Sequence, residues 1–187
     1  MPTSTIYYLP GRGGLLAKGL GAELSRRGLT VIGRETVGSF RDLAFQEQID
    51  AVADDLKNQF WFSDALVIAV SFGAYLFLHA QAQLPPYPGK VLLLSPIVGQ
   101  FSDESTSTGY IPPRAEKLTV LAENGQYSAP LNCEIDVGTD DWQSHPENVK
   151  RFGGWVQAPV TVVSNAGHRL DPEYVAGVLD RWSVDEI

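Results

Sequence analysis

The sequence predicts an α/β protein, a parallel sheet with helices packed on both of its faces. Three observations lead there. Short runs rich in β-branched and aliphatic residues recur along the chain, longer stretches of helical character separate them, and most of the runs are apolar throughout. Strands buried on both faces read in that way, and the alternation of run and helix is the pattern of successive βα units. With 187 residues and a hydrophobic fraction of 44%, the chain is expected to form one domain, 1–187, whose core needs no disulfide or metal staple.

Six runs read as strands: Thr5–Leu9, 29–33, 65–70, Lys90–Leu94, 131–137 and 159–163. The first, third, fourth and last are nearly all apolar. In 131–137, Leu131, Cys133, Ile135 and Val137 alternate with Asn132, Glu134 and Asp136. This period of two predicts a strand with one wetter face, placed near a rim, with Asp136 as a rim carboxylate. Four stretches read as helices. The first, 15–28, is closed by Gly28, a residue that tolerates the left-handed conformation of a helix end. In 42–60, Leu43, Ile49, Val52, Ala53, Leu56 and Phe60 recur at three- and four-residue steps, with Asp50, Asp54, Asp55 and Lys57 opposite, as on an outer helix. The stretch 72–84 is apolar almost all round and ends at Pro85-Pro86, so it belongs against the sheet centre. The last, 172–182, carries Tyr174, Val175, Val178, Leu179 and Trp182 on one face. Between 99 and 130 the rhythm breaks, and the Ser/Thr-rich run and Pro112-Pro113 there predict a loop with a short helix over 114–123, a modest lid. The stretch 142–155 is read as a loop.

Composition narrows the function. Fourteen Lys and Arg against 22 Asp and Glu leave a net charge of −8, and an acidic surface repels phosphate backbones and anionic lipid headgroups. Neither nucleic acid nor a membrane is an expected partner. The single cysteine excludes an internal disulfide and suits a reducing, cytoplasmic location, and the first ten residues lack the basic start and apolar core of a secretory leader.

The sharpest local feature is the junction Ala69-Val70-Ser71-Phe72-Gly73, where an apolar strand runs into an apolar helix through a serine between small residues. A serine that merely caps a helix shows the same local pattern. The junction also resembles the G-x-S-x-G nucleophile elbow of the α/β-hydrolase superfamily, with alanine at the first glycine. The resemblance covers nearly the whole chain and is nearest the short, single-domain serine hydrolases. It implies a three-layer sandwich, a six-stranded parallel sheet in spatial order 2-1-3-4-5-6 with helices on both faces and a short lid.

The same resemblance implies site residues. Gly167-His168, after the last run and before the last helix, matches the position of the superfamily's catalytic histidine; His79 and His145 do not occupy such a loop. The acid falls after the fifth run in Gly138-Thr139-Asp140-Asp141, where spacing in related hydrolases favours Asp141 over its neighbour Asp140. Ser71, Asp141 and His168 then stand in the superfamily's chain order. An oxyanion hole is implied from the backbone N–H groups of Phe72 and Arg12, the latter in Leu9-Pro10-Gly11-Arg12-Gly13-Gly14, which resembles the H-G-x-x-G loop with Pro10 in place of histidine. Gly11 and Gly13 let that loop bend, and the Arg12 side chain is expected to be solvated.

Rival readings of the loop fail on spacing. No lysine follows a second glycine as a Walker motif requires, and Leu16 stands where a dinucleotide fingerprint needs its third glycine. Zinc-binding H-E-x-x-H spacing is also missing. The expectation is therefore a cofactor-free serine hydrolase that cleaves a small or medium carboxylic ester or thioester, a small-molecule acyl substrate, through an acyl-serine intermediate. A non-catalytic relative that binds a ligand or protein, and an amidase or acyltransferase using the same triad, are the alternatives.

Overall fold

Side chains that alternate between the two covered faces of the central strands divide the core into two halves. This computed structural model describes residues 5–103 and 107–184; residues 104–106 of the Ser/Thr-rich run lie outside the described residues. In chain order the elements are β1 (Thr5–Leu9), α1 (Leu20–Arg26), β2 (Thr30–Gly33), α2 (Gly38–Asp42), α3 (Phe45–Gln59), β3 (Leu66–Val70), α4 (Phe72–Gln81) and β4 (Lys90–Leu94). There follow β5 (Phe101–Asp103), β6 (Thr108–Tyr110), α5 (Lys117–Glu123), β7 (Asn132–Gly138), α6 (Pro146–Val156), β8 (Val160–Val163) and α7 (Pro172–Val184).

Six strands form one parallel sheet in the order β2-β1-β3-β4-β7-β8, which is the order 2-1-3-4-5-6 expected of the six runs. Tyr7, Leu9, Val67, Ala69, Val91, Leu93, Ile135 and Val137 point to one face, against Ile49, Val52 and Leu56 of α3, Phe77 of α4 and Phe152 of α6. Ile6, Tyr8, Leu66, Ile68, Leu92 and Leu94 point to the other, against Leu24 of α1 and Val178, Leu179 and Trp182 of α7. Every residue of α4 is buried, as its apolar circumference requires. The chain steps outward from β1 to β2 and then returns past β1 to β3. That reversal opens a crevice beyond the carboxyl ends of β1 and β3, the place where open α/β sheets hold their ligands.

Several boundaries differ from the sequence reading, each for a local reason. The first helix starts at Leu20, because Gly19 takes a φ of 54°. The helix expected over 42–60 begins only at Phe45, since Leu43 and Ala44 are extended, and a separate short helix, α2, ends just before them at Asp42. The excursion 99–130 carries an antiparallel ribbon, β5–β6, as well as the helix, which begins only at Lys117 after the left-handed Arg114. The expected loop 142–155 contains α6, with Pro146 at its first turn and Val149, Phe152 and Gly153 buried. Two adjacent glycines and the polar residues among them obscured its period.

The strand β7 is not at a rim. It is hydrogen-bonded to β4 on one side and β8 on the other, and Asp136 is only 1% exposed. Asn132 is exposed and Glu134 half-buried, but Asp136 is covered by α7, where the Tyr174 hydroxyl donates to its carboxylate at 2.9 Å and Arg181 lies 3.8 Å away. Burial pushes the Asp136 carboxyl above its ordinary value, against the opposing pull of Tyr174 and Arg181. Among the described residues no helix is long and apolar enough to cross a membrane.

The packing of α6 is tested at Phe152, which is 1% exposed. Phe152→Ala should lower unfolding free energy by about 3–5 kcal/mol in urea titrations. Leu131→Ser, at a position 73% exposed, should stay within about 0.5 kcal/mol of wild type.

Candidate active site

The apolar strand β3 has to turn sharply to become α4, and the turn is made at one residue. Ser71 has φ 52° and ψ −115°, a left-handed conformation that costs a non-glycine residue about 1–3 kcal/mol and persists only where the surroundings impose it. Here they do. The Ser71 N–H donates to the Leu94 carbonyl at 3.0 Å, and its own carbonyl accepts from Tyr75 N at 3.1 Å. At Gly73, two residues on, a Cβ would stand 2.3 Å from the Leu9 carbonyl oxygen and 2.4 Å from that of Pro10. The glycine is thus required by the end of β1, and α4 can dock there only without a side chain at 73.

The turns after β7 and β8 bring two further side chains to Ser71. Its Oγ lies 2.7 Å from His168 Nε2, and His168 Nδ1 lies 2.9 and 3.0 Å from the two carboxylate oxygens of Asp141. Gln143 N and Ser144 N donate to Asp141 Oδ1 at 3.0 and 2.9 Å, an Asx-turn that aims the carboxylate at the imidazole. The Ser144 hydroxyl donates to the Ser95 carbonyl at 2.7 Å and so ties this turn to the end of β4. The two turns are clasped by backbone. Thr139 N donates to Val163 O and Asp140 N to Ala166 O, both at 2.9 Å, and a Cβ on Gly138 would stand 2.0 Å from the Ala166 carbonyl oxygen.

Asp141 is buried and Asp140 is exposed, so the choice left open between the two falls on Asp141 by geometry. Burial pushes the Asp141 carboxyl up, yet the hydrogen bond and charge of His168, with the N–H groups of Ser144 and Gln143, outweigh it and hold the group below its ordinary value. The other histidines stand elsewhere. His79 is buried in α4 against Tyr75 and Phe45, and burial lowers its pKa to about 3. His145 precedes α6 and accepts from Ser102 N.

The glycine loop after β1 lies against the serine, with a Cβ on Gly11 only 3.4 Å from Ser71 Cβ. Thr36, buried in the loop after β2, accepts from Gly14 N at 3.0 Å and donates to the Gly11 carbonyl, while Gly13 N donates to Thr36 O at 3.2 Å. Arg12 is not simply solvated. Its guanidinium lies 4.7 Å from the Phe72 ring centre and 4.8 Å from that of Tyr110, and Nη2 donates to the Tyr110 hydroxyl at 2.6 Å. Phe101 joins Tyr110 to Trp142, with ring centres 5.4 and 5.6 Å apart. The β5–β6 ribbon therefore spans from Arg12 to the residue after Asp141.

No family model and no curated protein matches the sequence. Solved structures do match the fold. The carboxylesterase CesB (YbfK) from Bacillus subtilis superposes with a TM-score of 0.69 at 13% identity, over 100% of this chain and 85% of that one. The chain has the α/β-hydrolase fold. The α/β hydrolase domain-containing protein 10 from mouse aligns at 0.67 and 14% identity over 97% and 88% of the two chains. The ydeN gene product from B. subtilis aligns at 0.65 and 13% over 97% and 99%. In this α/β-hydrolase-fold chain, Ser71, His168 and Asp141 come together, and Gly11 and Arg12 flank the serine side. Sequence reasoning missed Ser144 and Thr36. An acid followed three residues later by a small polar residue was a legible signal for the first; nothing in the sequence marks the second, whose partners are 22 and 25 residues away.

Because the Asp141 carboxyl is held low, its ionised form stabilises the fold above its unfolded value of about 3.9, and that contribution is lost as pH falls through the lower folded value. The stability gap between wild type and Asp141→Asn, read by urea unfolding, should therefore be constant near neutrality and close in the acid range.

Proposed function

We propose that the protein is a serine hydrolase acting on small or medium carboxylic esters or thioesters. One observation carries the reading: a strained, left-handed serine whose Oγ is 2.7 Å from an imidazole that is held on its other nitrogen by a buried carboxylate. The carboxylesterase CesB, whose fold this chain shares, supports it by analogy.

In the proposed reaction His168 Nε2 takes the Ser71 proton as Oγ attacks the acyl carbon. The carbonyl electrons move onto oxygen, where the N–H groups of Phe72 and Arg12 receive the charge. Phe72 opens α4, so its N–H has no acceptor within the helix. Collapse breaks the bond to the leaving alcohol or thiol, which takes the proton from His168 and leaves an acyl-serine. Water, deprotonated by the same imidazole, then releases the acid. Asp141 keeps the Nδ1 proton in place and stabilises the imidazolium. No step calls for a cofactor. A cytoplasmic setting accords with the single cysteine, Cys133, which is buried with its thiol pushed up to about 12.

Fluorophosphonate labelling followed by intact mass is the test. The wild type should take up one label, and Ser71→Ala and His168→Ala none. Asp141→Asn should keep its fold and lose roughly 10⁴-fold in kcat on a short-chain ester. A folded wild-type protein that never labels would overturn the reading and favour a ligand-binding relative.

A further inference from the structure

We infer that this site selects esters whose acyl chain ends in a carboxylate, the half-esters of short dicarboxylic acids. The inference rests on the serine hydrolase reading and deepens it. A pocket of about 130 Å³ is lined by Arg12, Thr36, Phe40, Arg41, Gln48 and Phe72. It lies on the side of Ser71 where Phe72 and Arg12 stand, and none of its lining comes from the turns that carry Asp141 and His168. The leaving group must remain within reach of His168, which protonates it, so the pocket serves the acyl part.

Its chemistry is specific. Two of the 14 cationic side chains of a chain with net charge −8 line this one small space. Arg12 donates to the Tyr110 hydroxyl and stacks on two rings, and among the described residues no carboxylate pairs with it. Among the described residues Arg41 pairs only with the exposed Asp42, 3.5 Å away, a weak surface contact. Phe40 and Phe72 supply apolar wall for methylene groups. A guanidinium presents paired N–H donors that match a carboxylate.

The backbone that carries each arginine is also held in place by a buried group. Gln48, 7% exposed, donates from Nε2 to the carbonyls of Arg41 and Leu43 at 3.1 and 3.0 Å and so sets the end of α2. Thr36, 2% exposed, locks the glycine loop that carries Arg12. A fixed backbone leaves only the side chains to be ordered on binding. The volume admits about four water-sized groups, enough for a carboxylate and two or three carbons.

Two measurements test this. Monoethyl glutarate should be hydrolysed with a kcat/KM at least tenfold above that of neutral ethyl hexanoate, and Arg41→Ala should abolish the preference through KM, with Arg41→Lys intermediate. Arg12→Met, which keeps the backbone N–H, should weaken the preference as well. Separately, glutarate titrated calorimetrically into Ser71→Ala should bind saturably, and at least tenfold more weakly into Ser71→Ala/Arg41→Ala. Equal turnover of the two esters, or glutarate binding unaffected by Arg41→Ala, overturns the carboxylate preference while leaving a hydrolase in place. Arginine-dependent glutarate binding without turnover of any ester sustains the pocket and removes the hydrolase.

Discussion

The close approach of α4 to the end of β1 governs the rest of the site. With hydrogen in place of a side chain at Gly73, the first turn of α4 rests on the carbonyls of Leu9 and Pro10. That contact leaves the chain between β3 and α4 too little length for an ordinary turn, and Ser71 absorbs the difference by adopting a left-handed conformation. The strain is borne by neighbours on both sides, through a hydrogen bond from Ser71 N to the Leu94 carbonyl and one from Tyr75 N to the Ser71 carbonyl. The same approach carries the glycine loop to the serine. The elbow and the loop beside it are thus one packing arrangement, and disturbing either would move both.

A second clasp, between the turns after β7 and β8, does for Asp141 and His168 what the first does for Ser71. Backbone hydrogen bonds from Thr139 and Asp140 reach Val163 and Ala166 across the gap, and Gly138 leaves room for them. A buried carboxylate is costly unless its lone pairs are engaged. Asp141 engages them with two N–H groups and the imidazole, and so remains ionised. Asp136, five residues earlier, shows the other outcome of burial, since the Tyr174 hydroxyl, Arg181 at 3.8 Å and Thr161 do not offset it and its carboxyl is raised.

The excursion between β4 and β7 links these parts over the crevice. Its ribbon places Tyr110 on Arg12 and Phe101 on Trp142, so an aromatic and cationic layer runs from the glycine loop to the acid-bearing turn. Arg12 serves this layer on one side and a small pocket on the other, and Thr36 fixes the backbone beneath it. An acidic protein therefore places two arginines on one small pocket beside its glycine loop.

Some of this was determined by the sequence alone, because it depends on local periodicity and chain order. Apolar runs separated by helical stretches define the six strands of the sheet, and the small residues around Ser71, the Gly-His at 167–168 and the acids after Gly138 are visible as strings of letters. The elements misread were those whose local signal is weak or mixed: α6, interrupted by adjacent glycines; the ribbon β5–β6, with three residues in each strand; and β7, whose alternating polar residues suggested a rim position although it is paired on both sides and α7 covers Asp136. Only the tertiary structure decided which acid meets His168, because Asp140 and Asp141 differ by one residue in a turn whose direction is set by contacts with Ala166 and Ser95. It alone decided, too, that Arg12, Thr36, Arg41 and Gln48 share one pocket. Those residues come from four segments, and their meeting follows from strand order and helix docking, which no window of sequence contains.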